Sequence, residues 1–184
     1  MKKIIMVHGW GGSSAGDWLP WLRGELEKLG HEVIAPNMPD TNNPTIEAWV
    51  GKLAEVVGAP DENTYFVGHS IGCQTILRYL EKINTPVGGA IFVAGWFGLE
   101  NLESYEEADV ARPWIETPID IEKIKKVLPQ STLIISDNDP YGAFEENKQK
   151  FSEFVTKTAV FPGREHFNDR EAPEILAECE LLLK

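Results

Sequence analysis

Cysteine is scarce in this sequence: only Cys73 and Cys179 occur in 184 residues. They lie far apart, with neither a C-x-x-C pair nor a His/Cys cluster, so neither a disulfide framework nor a zinc site organises the chain. Both are expected as reduced thiols in a cytoplasmic protein. Positive charge is also short. Lys and Arg number 17 against 29 Asp and Glu, a formal net charge of −12. A surface of that sign repels phosphate backbones and anionic lipid, which argues against nucleic-acid and membrane partners. Long hydrophobic runs are missing as well. The uncharged stretch from Thr85 to Leu99 is broken by glycines and too short to span a bilayer. Ile4 to His8 is too brief for the core of a secretory signal peptide. What is present is 42% hydrophobic and 25% charged, the composition of one globular domain over residues 1–184 with enough chain to bury a core.

There is no internal repeat, low-complexity tract or dividing linker. Short apolar runs alternate instead with stretches of helical period. Ile4–His8, Glu32–Pro36, Thr64–Gly68, Gly89–Ala94, Thr132–Ser136 and Thr158–Phe161 read as strands. Helices are expected from Asp17 to Gly30, after a Thr45 cap, over Ile71–Ile83, and near 119–128, 143–155 and 172–183. Between Gly95 and Pro118 the periodicity lapses, and the acidic run Glu100–Asp109 reads as a solvated face. Six strands separated by helices predict one mostly parallel sheet with helices on both faces, an α/β class.

The chemistry begins at Gly68-His69-Ser70-Ile71-Gly72, a G-x-S-x-G string. A serine on a tight strand-to-helix turn stands clear of the sheet with its Oγ exposed, and the backbones on either side pack so closely that only glycine fits. The string alone is weak, arising by chance in roughly one unrelated chain in fifteen of this length. The bland alternative is a glycine-rich helix start with an N-capping serine. Position counts against it: the motif follows the strand Tyr65-Phe66-Val67 and opens an amphipathic helix.

A serine nucleophile on such a sheet takes its acid and then its histidine from further along the chain. Downstream of Ser70 the one histidine is His166, in a Gly/Pro loop after the last strand. The acid is expected after the penultimate strand, where Asp137 and Asp139 compete. Asp139 is preferred, because the following Pro140 forces an extended backbone that turns the carboxylate out of the strand end. Asp137 suits a local Asx turn. The first strand ends in His8-Gly9-Trp10-Gly11-Gly12, whose glycines free main-chain N–H groups. The amides of Trp10 and Ile71 are expected to form an oxyanion hole, and His8 to orient the loop. First and third strands are expected as neighbours at the point where strand order reverses, a ligand-binding crevice in such sheets.

These residues resemble the compact α/β-hydrolases of the retinoblastoma-binding protein nine-like family and its small bacterial relatives. The resemblance covers nearly the whole chain: the HGWGG start, the GHSIG elbow, Ala111-Arg112-Pro113-Trp114, Asp139-Pro140-Tyr141 and the Gly163–His166 loop. It implies a truncated hydrolase sheet without a cap domain and a Ser70–Asp139–His166 triad. The L-x-C-x-E string behind that family's name is absent, since residues 176–180 read L-A-E-C-E, so that partner is not carried over. Arg164 and Glu165 stand directly before His166, where their charges are expected to bear on its basicity.

The expected activity is transfer of a small or medium acyl group from an ester to water, needing no metal or organic cofactor. Trp10, Trp96, Phe97, Trp114, Phe144 and Phe167 fall near the carboxyl ends of strands, and an aromatic acyl slot built on Trp96, Phe97, Trp114 and Phe167 is expected. Each could equally be core. Cys73, in the elbow helix, is expected as a buried hydrophobe. A monomer or weak homo-oligomer is expected. Two other classes stay open: an interaction module on an idle hydrolase scaffold, and an amide or peptide hydrolase.

Overall fold

The structure is a computed structural model describing residues 1–102 and 104–184. In chain order it runs β1 (Lys3–Val7), α1 (Leu19–Lys28), β2 (Glu32–Ile34), α2 (Ile46–Val57), β3 (Thr64–His69), α3 (Ile71–Leu80), β4 (Gly89–Val93), α4 (Tyr105–Glu116), α5 (Ile121–Val127), β5 (Ser131–Ile135), α6 (Phe144–Ser152), β6 (Lys157–Val160) and α7 (Pro173–Leu182). The sheet order is β2-β1-β3-β4-β5-β6, with every neighbouring pair parallel. All six expected strands are present, and the class read from their alternation with helices is the one observed.

Period-two alternation assigns side chains to two cores. Ile4 and Met6 face one layer with Leu19, Leu22 and Leu26 of α1 and Ile175 and Cys179 of α7. Ile5 and Val7 face the other, where α2, α3, α5 and α6 pack. The central strands β3, β4 and β5 are buried throughout, as continuous apolar runs covered on both faces must be. β6, at the edge, is only partly covered. Thr45 caps α2 by accepting from the Ala48 N–H at 3.3 Å, satisfying one of the free amides of a first turn.

The lapse expected from Gly95 to Pro118 is a misreading, because α4 occupies half of it. Ser104 caps that helix in a reciprocal box with Glu107, yet only Ala111 and Trp114 of its residues are buried. An apolar stripe that sparse leaves no helical period to detect. Much of the run Glu100–Asp109 is exposed, as expected, but Leu102 and Glu107 turn toward a cleft; Glu103 lies outside the described residues. Among the described residues no helix is long and apolar enough to cross a membrane.

β1 lies between β2 and β3. Strand order therefore reverses between β1 and β3, and the loops leaving their carboxyl ends part to form a crevice. Both glycine-rich strings stand there.

Candidate active site

Ser70 sits between β3 and α3 with φ 54° and ψ −120°. This left-handed conformation is strained for a residue with a Cβ, and such strain is retained where surrounding structure imposes it. A Cβ on Gly68 would come within 2.8 Å of the Cys73 nitrogen, and one on Gly72 within 2.3 Å of the Val7 carbonyl oxygen. Only hydrogen fits at either position. Ser70 caps nothing with its side chain, which removes the reading of an N-capping serine. Its Oγ instead accepts a long bond from the Trp96 indole N–H at 3.4 Å. A Ser70–His166 hydrogen bond is not formed among the described residues, although both side chains line the same cleft.

His166 Nδ1 lies 2.7 Å from Asp139 Oδ2. The other Asp139 oxygen accepts the Tyr141 N–H at 3.0 Å, so the carboxylate is held at both ends. With Nδ1–H donating, Nε2 is left as an acceptor. Asp137 points elsewhere and accepts the Gly163 N–H at 3.0 Å. Its neighbours in the loop after β5 hold the histidine loop too: Ser136 Oγ takes the Arg164 N–H and Asn138 Oδ1 the Glu165 N–H, each at 2.9 Å. Arg164, next but one to the histidine, is ion-paired to Glu174 and Asp169, and Glu165 is exposed.

The turn after β1 presents its amides unequally. Gly11 N–H donates to Thr41 O and Gly12 N–H to Gly9 O. Among the described residues the amides of Trp10 and Ile71 donate to no protein acceptor. His8 spans the base of this loop, donating from Nδ1 to Gly9 O at 2.7 Å and accepting the Met38 N–H on Nε2 at 3.0 Å. Burial lowers its pKa from the usual histidine value. Burial, with His166 next in weight, pushes His69 down to about 3. Asp17, on the cleft wall, is raised by burial. Cys73 lies wholly buried with its thiol pushed up by burial and donating to the Gly68 carbonyl; it is core.

Four aromatic residues were expected around the acyl group, and the structure brings one of them to the cleft. Trp96 lines it. Phe97 packs its ring 5.0 Å from Phe151 and 6.2 Å from Phe154. Trp114 is buried, donates its indole N–H to Pro44 O at 3.0 Å and meets Trp49 edge to face. Phe167 is fully buried in the core beneath α1 and α7. Rings this large, sited where loops return to the sheet, gain more from dry packing than from a wet rim. The cleft, of about 330 Å³, takes its remaining apolar wall from Trp10, Leu99, Leu102 and Tyr141. Leu99 and Leu102 lie in the segment without detectable period, and Tyr141 follows Asp139 by two positions, the one available signal. Phe144 reaches only a narrow side recess.

A family of serine hydrolases matches residues 4–183 of this chain. The Bacillus subtilis protein YdeN is 32% identical over 150 residues, covering 80% of this chain and 76% of its own. The serine hydrolase RBBP9 of Rattus norvegicus is 27% identical over 184 residues, covering 98% and 95%. The crystal structure of YdeN superposes with a TM-score of 0.89 at 26% identity, covering 99% of this chain and 98% of that one. Est1E from Butyrivibrio proteoclasticus has the same fold, with a TM-score of 0.76 at 15% identity over 100% and 87% of the two chains.

Proposed function

The chain belongs to the serine hydrolase family and has the α/β-hydrolase fold, and on that premise we propose that it cleaves small or medium carboxylic esters through an acyl-enzyme on Ser70. The observation that carries this reading is the pairing of His166 with Asp139 at 2.7 Å on the rim of the cleft that Ser70 lines. In the reactive arrangement Ser70 Oγ leaves the Trp96 indole and donates to His166 Nε2. The hydroxyl oxygen attacks the ester carbonyl as Nε2 takes its proton, and Asp139 stabilises the imidazolium. The carbonyl oxygen gains the negative charge beside the Trp10 and Ile71 amides. Nε2 then returns the proton to the departing alcohol. Water repeats the sequence on the acyl-enzyme and releases the carboxylic acid and free Ser70.

A cleft of about 330 Å³ stands at the small end of ligand sites, which supports a compact acyl group. Esters are proposed over amides because an alkoxide leaves with less help from an acid than an amine does. A fluorophosphonate probe tests the nucleophile: labelling of the wild type that vanishes in Ser70→Ala supports the enzyme, and no labelling leaves an interaction module. Matched ester and amide substrates test the second half. Faster turnover of the amide overturns the preference.

A further inference from the structure

The loop carrying His166 is held under strain. Glu165 and Phe167, on either side of the histidine, both have positive φ, 49° and 56°, a region that residues with a Cβ adopt only under constraint. The constraint on the amino-terminal side comes from the loop after β5, through Arg164 and Glu165. On the carboxyl-terminal side two consecutive carbonyls are gripped by ring donors. His69 Nε2 lies 2.8 Å from His166 O, and Trp18 Nε1 donates to Phe167 O at 2.9 Å.

We infer that His69 and Trp18 act together as a clamp on the His166 and Phe167 carbonyls, and that this clamp aims the His166 ring; both are positioning residues. The inference rests on the reading of His166 as the base, but the clamp can be observed without turnover.

A carbonyl oxygen only accepts, so His69 must donate from Nε2 and carry its lone pair on Nδ1. Nδ1 is buried without a hydrogen-bond partner, with Asp17 Oδ2 at 3.9 Å, so the bond to His166 O is this ring's one strong attachment. The two histidine rings lie 5.1 Å apart, and Trp18 meets His69 at 5.6 Å, edge on. Burial keeps His69 neutral, so no second positive charge opposes the imidazolium that forms on His166.

His69 also directly precedes Ser70 in the chain. One peptide unit therefore joins the clamp to the nucleophile, and the contact that sets His166 relative to Ser70 is the His69–His166 bond, made across 97 residues of sequence. A ring serving only to fill space would need no donor aimed at a carbonyl.

Three substitutions test this: His69→Leu removes the donor, His69→Gln restores an N–H of similar reach, and Trp18→Phe deletes the indole N–H while keeping a ring. The direct readout is the downfield proton resonance of His166 Nδ1–H bonded to Asp139. His69→Leu is expected to broaden or abolish it and to lower kcat by about 10²-fold with KM changed by less than about threefold. His69→Gln is expected to keep the resonance and recover kcat to within about threefold of wild type. Trp18→Phe is expected to broaden the resonance partly and lower kcat by about tenfold. A folded His69→Leu protein with the resonance intact and kcat within about twofold of wild type overturns the inference. So does His69→Gln behaving like His69→Leu. Should His69→Leu fail to fold, an unchanged resonance and kcat in Trp18→Phe overturn it equally. Absence of esterase activity in all proteins, with the resonance responding as described, refutes the proposed function and leaves the clamp standing.

Discussion

Asp139 and His166 meet at 2.7 Å across 27 residues of sequence, while Asp137, two positions before Asp139, spends its carboxylate on the Gly163 N–H. One loop thus contains a partner for the imidazole and a brace for the loop that bears it.

Asp139→Asn is expected to lower kcat by on the order of 10³-fold or more, because the amide no longer enforces Nδ1–H or balances the imidazolium. Asp137→Asn keeps an oxygen able to accept from Gly163 and is expected to cost less than about tenfold. Steady-state kinetics on a neutral ester check both. The reverse order of damage would transfer the acid's role to Asp137.

Stability is expected to fall on acidification before the carboxylates titrate. Burial lowers both His8 and His69 from the usual histidine value, His69 down to about 3, whereas an unfolded chain protonates its histidines near pH 6.5. Below that pH the unfolded state binds more protons, so the contribution is complete above about 6.5 and is lost as pH falls toward about 3. Asp17 acts in the opposite sense, since burial raises its carboxyl. Urea midpoints at about pH 7.5 and about pH 5.5 give the test, with the lower midpoint expected at the lower pH. Equal midpoints would mean that folding does not suppress protonation of these histidines.

Gly72→Ala is expected to destabilise by about 1–3 kcal/mol or to prevent folding. The added methyl would stand 2.3 Å from Val7 O and 2.9 Å from His8 O, and backbone atoms cannot give way as a flexible side chain does. Chemical denaturation beside a Gly24→Ala control measures it, Gly24 having open space around its Cβ position.

Trp114→Phe and Leu102→Ala are expected to separate core from cleft. Loss of the Trp114 indole bond to Pro44 O should lower stability by about 1–2 kcal/mol and leave acyl-chain preference unchanged. Leu102→Ala should leave the unfolding midpoint nearly unchanged and move the preferred acyl chain to greater length, since Leu102 lines the cleft. Turnover of an ester series of increasing chain length reads both effects.

The sheet and the elbow were legible because each rests on a strong local rule. Continuous burial marked β4, and the steric need for glycine marked positions 68 and 72. Pro140 pointed to Asp139 over Asp137, the residue that now meets His166. The segment before Pro118 was illegible because α4 buries only Ala111 and Trp114, too little to print a period; the Ser104–Glu107 capping box was the signal overlooked. The destinations of the aromatic residues were illegible for another reason. A ring at a strand's end can turn inward or toward the cleft, and Trp114 and Phe167 turned inward where Trp96 did not. Nor did residue type alone distinguish Trp18 from its neighbours as a donor to the histidine loop.

α4 is fastened at its carboxyl-terminal end, where the buried Arg78 guanidinium donates to Trp114 O and Thr117 O at 2.8 Å each, while Glu107 in its first turn and Leu102 ahead of the helix line the cleft. The segment leading toward α4 is tied in turn to the loop after β5: Leu99 bridges Gly142, Glu100 N–H donates to Tyr141 O at 2.8 Å and Asn101 Nδ2 to Pro140 O at 3.1 Å. Exchanging Leu99, Glu100 and Asn101 for a relative's residues would therefore reshape one wall of the chamber and unsettle the footing of Asp139 in the same step.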